Sequence, residues 1–239
     1  MSGKFAVIGI DWSGVIADDK AFAYETAKRT LARFGIAIEP TATEWLASSA
    51  STPASEHARR KEMAPSGSAI ASTTVEDYVS AFGEEADLVR SSRPDLSATQ
   101  IPGARLAIAK LAAVPVSRDV DGPKRFTGLF LASAAPVECL LRDVGRFGIG
   151  SLFDLGIYGD CNDKAKRIVA VLRECGARPE EAAYVGDTTG DVVAARRAGV
   201  TSVAVCGGYH SEDALRREGP DAIFSDLGEF ADNYARGSR

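Results

Sequence analysis

Six short apolar runs, each stopping on a glycine or a polar residue, constrain this chain more than any other feature. They are Phe5–Ile10, Phe126–Ala132, Leu152–Tyr158, Ala182–Val185, Ser202–Val205 and Ala222–Phe224. Runs of this length read as buried strands, and the stretches between several of them carry apolar residues at helical spacing. Helices are expected over Ala104–Ala113, Pro136–Phe147, Lys164–Cys175, Asp191–Ala198 and Leu227–Tyr234. Gly199 stands where a helix C-terminal glycine belongs. Strand and helix in alternation predict an α/β fold with a parallel sheet covered by helices on both faces.

One segment interrupts the alternation. Between residues 18 and 100 no strand is expected. Tyr24, Ala27, Leu31 and Phe34 recur at helical spacing, closed by Gly35, and Thr41 with Glu44 has the form of a capping box. Ser55–Met63 reads as a short basic helix, Pro65–Thr73 as a loop, and Val75–Ser91 as a helix capped by Thr74 and stopped by Ser92–Asp95. The expected organisation is therefore a Rossmann-like core of 1–17 and 101–239, with a helical insert at 18–100. A chain of 239 residues, 45% apolar and 26% charged, can bury such a core without crosslinks. A net charge of −5 disfavours nucleic acid as a partner. The four cysteines form no CxxC pair, which predicts reduced thiols. No leader-like segment precedes the first strand and no apolar run could span a bilayer, so a cytoplasmic protein without membrane partners is expected.

The strand ends carry the chemistry. Asp11, Ser133, the Asp160–Lys164 turn, and Asp187 with Asp191 all fall at carboxyl ends of expected strands, where parallel sheets bind ligands. Clustered carboxylates suit Mg²⁺. A lysine and a hydroxyl beside helix N-termini suit a phosphoryl group. A carboxylate nucleophile there would form an aspartyl phosphate. Plainer readings stand beside these: Asp11 in a turn, Asp187 and Asp191 decorating a helix N-terminus, Lys164 solvated, and Ser133 as a helix cap.

In order, these residues resemble the haloacid dehalogenase (HAD) superfamily. Ile8-Gly9-Ile10-Asp11-Trp12-Ser13-Gly14-Val15 resembles its first motif, and Phe130-Leu131-Ala132-Ser133 its second. Lys164, with Lys166 as the other choice, resembles the third, and Gly186-Asp187-Thr188-Thr189-Gly190-Asp191 the fourth. Pro102-Gly103 matches the family's start of the first core helix, and 18–100 occupies the place of its helical C1 cap. The resemblance implies a hydrolase with Asp11 as nucleophile and Mg²⁺ held by Asp11, the Ser13 carbonyl, Asp187 and Asp191. It implies that Ser133 and the Ala134 amide bind phosphoryl oxygens, and that Lys164 neutralises charge. The implied substrate is a small phosphorylated metabolite, and a cap-mediated homodimer is compatible.

One position departs from the family. Its phosphatases usually carry a second Asp two residues after the nucleophile, as general acid and base. Here that residue is Ser13, which does not titrate near neutrality. The Asp11-Trp12-Ser13-Gly14 run resembles the equivalent stretch of phosphonoacetaldehyde hydrolases, which implies carbon–phosphorus cleavage as an alternative. Those enzymes need a cap lysine, expected here near Ser51, where only Lys61 comes close. A phosphate-binding protein with weakened turnover is a further alternative. Trp12 either packs at the cap hinge or lines the substrate site. Arg59, Arg60 and Lys61 either face an anionic substrate or form a solvated face, and Lys20 and Tyr24 are further candidates on the first insert helix. The Arg118–Lys124 loop is long for its place.

Overall fold

The structure is a computed structural model that describes residues 5–39, 41–48, 53–64, 66–116 and 125–237. Ser51 and the Arg118–Lys124 loop lie outside them. Two compact units are present, one formed by residues 1–18 and 100–239, the other by residues 19–99.

In the first unit, strand β1 is Val7–Ile10 and a two-residue strand, β2, is Ala17–Asp18. Thr99–Gln100 forms β3 where no strand was expected. Helix α6 (numbered in chain order after the five helices of the second unit) spans Ala104–Ala112. Pro115–Val116 (β4) then pairs antiparallel with Arg125–Phe126 (β5). Phe126 thus belongs to this ribbon, 56% exposed, and not to the buried strand expected from Phe126 onward. That strand, β6, is Gly128–Ala132, followed by α7 at Val137–Phe147. The expected strand at Leu152–Tyr158 shrinks to β7, Ile157–Tyr158, because Gly150–Leu152 forms a 3₁₀ turn. Helix α8 is Lys164–Cys175, β8 Ala182–Gly186, α9 Thr189–Ala198 and β9 Thr201–Val205. Helix α10, Glu212–Glu218, was not expected; one short turn-rich stretch of two helical turns gives little periodicity. Strand β10, Ala222–Phe224, and helix α11, Leu227–Arg236, complete the unit.

Six strands form one parallel sheet in the order β10-β9-β8-β1-β6-β7, with β1 central. The inner strands β1, β6 and β8 are buried at every residue, as the centre of a parallel sheet requires, and the edge strands β7 and β10 are half-buried. On one face Val7, Phe130, Ala132, Ala182 and Tyr184 pack with Ile168, Val171 and Leu172 of α8 and Ala195 and Ala198 of α9. On the other, Ile8, Ile10, Leu129, Leu131 and Val185 are fully buried, and α6 packs against β6 and α11. The terminal helix is pinned to the first strand by Tyr234, whose hydroxyl donates to the Phe5 carbonyl at 2.8 Å.

The second unit is helical. It contains α1 Lys20–Arg33, α2 Ala42–Ser48, α3 Pro53–Met63, α4 Ala69–Ser72 and α5 Val75–Ser92. Helix α4 falls in the stretch expected as a loop; three small residues around one isoleucine carry no helical period. Helix α1 packs on α5, and Leu31, Ile70 and Tyr78 form the buried centre with Phe34, Ile36 and Ile38 around them. The capping box at Thr41 and the cap at Thr74 form as expected. Glu44 accepts from the Thr41 amide at 3.1 Å, and Thr74 accepts from the Asp77 amide at 3.1 Å. No helix of the described residues is long and apolar enough to cross a membrane.

Candidate active site

Central strand β1 has β6 on one side and β8 on the other. The chain leaves β1 for one side and later returns to the opposite one, which opens a crevice beyond the strand ends. Asp11, Ser133 and Asp187 follow these three strands directly.

Three side chains expected to act together do meet. The Lys164 ammonium lies 2.9 Å from Asp11 Oδ1 and 2.6 Å from Asp191 Oδ1, and all three groups are buried. Lys164 is the first residue of α8, capped by Asp163. Lys166, the other candidate, points away, its side chain 85% exposed. Asp191 sits at the third position of α9. Its Oδ2 accepts from the Thr188 amide at 3.1 Å and the Thr188 hydroxyl at 2.6 Å, while Thr188 Oγ1 accepts from the Asp191 amide. This reciprocal cap fixes the Asp191 carboxylate and leaves Oδ1 to Lys164.

Asp187 completes the cluster. One carboxylate oxygen from each of Asp11, Asp187 and Asp191 lies within 4.8 Å of the others. Asp187 Oδ2 accepts from the Tyr209 amide at 2.5 Å, whereas Oδ1 is buried without a hydrogen-bond partner. A buried carboxylate oxygen without a donor is unfavourable unless a cation or a proton meets it. The turn after Asp11 passes close by: at Gly14, with φ of +73°, any β-carbon would collide with the Asp187 carboxylate.

The electrostatics follow from three acids against one ammonium. Burial pushes the Asp11 carboxyl up, Lys164 pulls it down and Asp191 pushes it up again, leaving it at about 7. Burial, then Asp11 and Asp191, drive Asp187 well above the usual carboxylate range. Burial opposes charge on Lys164, but Asp11 and Asp191 outweigh it and hold the ammonium well above its ordinary value. The site thus gathers more buried carboxylates than its one ammonium can neutralise, a set of hard oxygen donors that suits a divalent cation such as Mg²⁺.

The remaining expected residues surround this cluster. Ser133 is buried just past β6, and its Oγ accepts from the Ala135 amide at 3.1 Å, which leaves its O–H available to donate. Ala134 follows in a half-buried bend. Ser13 is half-buried in the turn that returns to Ala17. Trp12 is buried and stacks on Phe147 at the end of α7, with ring centroids 5.3 Å apart.

The basic run of the helical unit is committed internally. Arg60 donates to Glu56 at 2.7 Å and Glu39 at 2.6 Å, Arg59 pairs with Glu56, and Lys61 donates to the Thr73 carbonyl at 3.3 Å. The two arginines are thus drawn inward by Glu56, which is buried, and Glu39, which is half-buried, while Lys61 stays exposed. Tyr24 likewise donates to the Glu39 carbonyl at 2.7 Å.

Sequence reading missed the loop 207–210. Besides the Tyr209 contact, the His210 amide donates to the Asp187 carbonyl and His210 Nδ1 accepts from the Thr189 amide. The available signal was the Gly-Gly stop of β9 at the same sheet edge.

A HAD-hydrolase-like family model matches residues 165–230. A phosphoglycolate phosphatase of Pectobacterium atrosepticum is 30% identical over 155 residues, covering 62% of this chain. The chain spans 59% of that relative's length. A haloacid dehalogenase-like hydrolase from Streptococcus pneumoniae shares the fold with a TM-score of 0.73 and 18% identity, covering 98% of this chain and 100% of that one. A predicted phosphatase from Clostridium acetobutylicum does so with a TM-score of 0.75 and 17% identity, covering 98% and 100%. The parallel sheet ordered around β1, the acids, serine and lysine at its edge and these likenesses together support a haloacid dehalogenase superfamily hydrolase.

Proposed function

We propose that this chain is a Mg²⁺-dependent phosphatase acting on a small phosphorylated metabolite. In this reading residues 18–100 are the cap domain, and 1–17 with 101–239 are the catalytic core. The observation that carries it is the buried Asp11–Lys164–Asp191 set beside an Asp187 oxygen that no donor meets.

Asp11 is the nucleophile. One of its oxygens forms a bond to phosphorus as the bond to the substrate's ester oxygen breaks, giving an aspartyl phosphate that water then hydrolyses. Lys164 keeps Asp11 oriented and offsets charge on the phosphoryl group. The Ser133 hydroxyl and the Ala134 amide donate to phosphoryl oxygens. Asp11, the Ser13 carbonyl, Asp187 and Asp191 would hold Mg²⁺, which supplies charge neutralisation at the phosphoryl oxygens when bound. Ser13 leaves the departing oxygen without the usual carboxylic acid. That favours substrates that leave readily or carry their own acid, and the phosphoglycolate phosphatase relative makes 2-phosphoglycolate the first compound to try.

The non-acidic Ser13 beside Trp12 keeps phosphonate cleavage as a second reading, although the one lysine near the expected position, Lys61, donates to the Thr73 carbonyl. Phosphate release across a panel of phosphorylated metabolites tests the first, with Mg²⁺ and with EDTA, beside Asp11→Asn. Release that needs both Mg²⁺ and Asp11 supports the phosphatase. No release from any substrate refutes it, and borohydride trapping with phosphonoacetaldehyde then decides between a phosphonate hydrolase and a phosphate-binding protein.

A further inference from the structure

The geometry points to His210 as a positioning residue for Asp187, an inference that rests on the metal-site reading above. Asp187 lies in the turn between β8 and α9, and the loop after β9 holds that turn at three successive points. The Tyr209 amide donates to Asp187 Oδ2, the His210 amide donates to the Asp187 carbonyl at 3.4 Å, and the Thr189 amide donates to His210 Nδ1 at 3.1 Å. The loop's own approach leaves no space: a β-carbon at Gly208 would collide with the Asp187 carboxylate.

Each contact has a separate consequence. The Tyr209 bond engages Oδ2 and so fixes the carboxylate, leaving Oδ1 as the buried oxygen that no donor meets. Thr189 is the first residue of α9, and its amide has no partner inside the helix. By accepting from it, the imidazole joins the 207–210 loop to the helix start and so fixes the span between Asp187 and Asp191. Those two carboxylates must hold one separation for a shared cation, and neither the Tyr209 nor the His210 amide bond ties the loop to α9. His210 therefore acts through Asp187 without touching the cation. Partners of this kind, one layer out from the ligands, typically change metal affinity by about 10- to 100-fold when removed.

Mg²⁺ titration of the full chain by calorimetry tests this, together with amide exchange at Thr189 in the metal-free protein. In His210→Ala the Mg²⁺ dissociation constant should rise at least about tenfold and the Thr189 amide should exchange faster. Asn can place Oδ1 where Nδ1 sits, whereas Gln is one methylene too long. His210→Asn should therefore restore affinity to within about threefold and His210→Gln should not. If the alanine variant does not fold, the Asn and Gln pair carries the comparison. Equal Mg²⁺ affinity in the Asn and Gln variants, or wild-type affinity in the alanine variant, overturns the proposal while leaving the metal site standing. A wild-type protein that does not bind Mg²⁺ overturns the metal-site reading and this inference with it.

Discussion

Asp187→Asn should make the metal-free protein more stable while removing its response to Mg²⁺. Asp187 is fully buried, and its carboxylate shares a 4.8 Å space with Asp11 and Asp191, whose charges Lys164 already pairs. Two unit charges at that separation repel by about 3 kcal/mol at an effective dielectric of about 20. Keeping its proton lets the carboxyl escape that repulsion. Against an ordinary value of 3.8, holding a proton at pH 7 costs at most about 4 kcal/mol, at 1.36 kcal/mol for each pH unit. An asparagine removes the charge, still accepts from the Tyr209 amide, and offers amide hydrogens to the two remaining acids. The net gain is about 2–4 kcal/mol, on the order of 10 °C in Tm.

The pH dependence gives this prediction its sign. Burial and the neighbouring acids raise the Asp187 pKa, so the folded protein binds more protons than the unfolded chain. The stability linked to that proton is fully present below the ordinary carboxylate range and is lost as pH rises. The variant's advantage in EDTA should therefore be small near about pH 5 and largest near about pH 8. Wild-type protein at about a hundredfold excess of Mg²⁺ over its Kd should gain about 2.7 kcal/mol, and the variant little. Thermal melts of both proteins, with EDTA and with Mg²⁺ at each pH, measure all of this. The reasoning fails if the variant melts at or below wild type in EDTA near pH 8, or if Mg²⁺ stabilises both equally.

Further perturbations probe other parts of the molecule. Ser13→Asp restores a titratable acid two residues after Asp11 and should raise phosphate release at least about tenfold, read as kcat on the best substrate. Lys164→Met leaves Asp11 and Asp191 buried without their cation. It should lower stability by about 3–5 kcal/mol near neutral pH, and by less in acid as the carboxyls protonate, which denaturant melts at two pH values would show. Tyr78→Phe should be neutral or slightly stabilising in the same melts, because the Tyr78 hydroxyl is buried with no hydrogen-bond partner.

Much of this protein was legible in its sequence because short-range physics wrote it there. A strand buried on both faces must be continuously apolar, so β1, β6, β8 and β9 announce themselves, and the polar residue that ends each one marks the sheet edge. The same logic set Asp11, Ser133, the Asp160–Lys164 turn, Asp187 and Asp191 along that edge. Helix caps at Thr41, Thr74 and Gly35 are local as well, since their partners lie within a few residues. What tertiary structure alone decided are the relations between residues far apart in the chain. The choice of Lys164 over Lys166 depends on which side of α8 turns inward. The inward commitment of Arg59 and Arg60 depends on Glu39, some twenty residues away. The hold of loop 207–210 on Asp187 arises because β8 and β9 are neighbours, and the acid-rich balance that raises Asp11 and Asp187 exists only once three separate strand ends and helix starts exclude water together. Periodicity records which side of an element is buried; charge, distance and desolvation are properties of the assembled site.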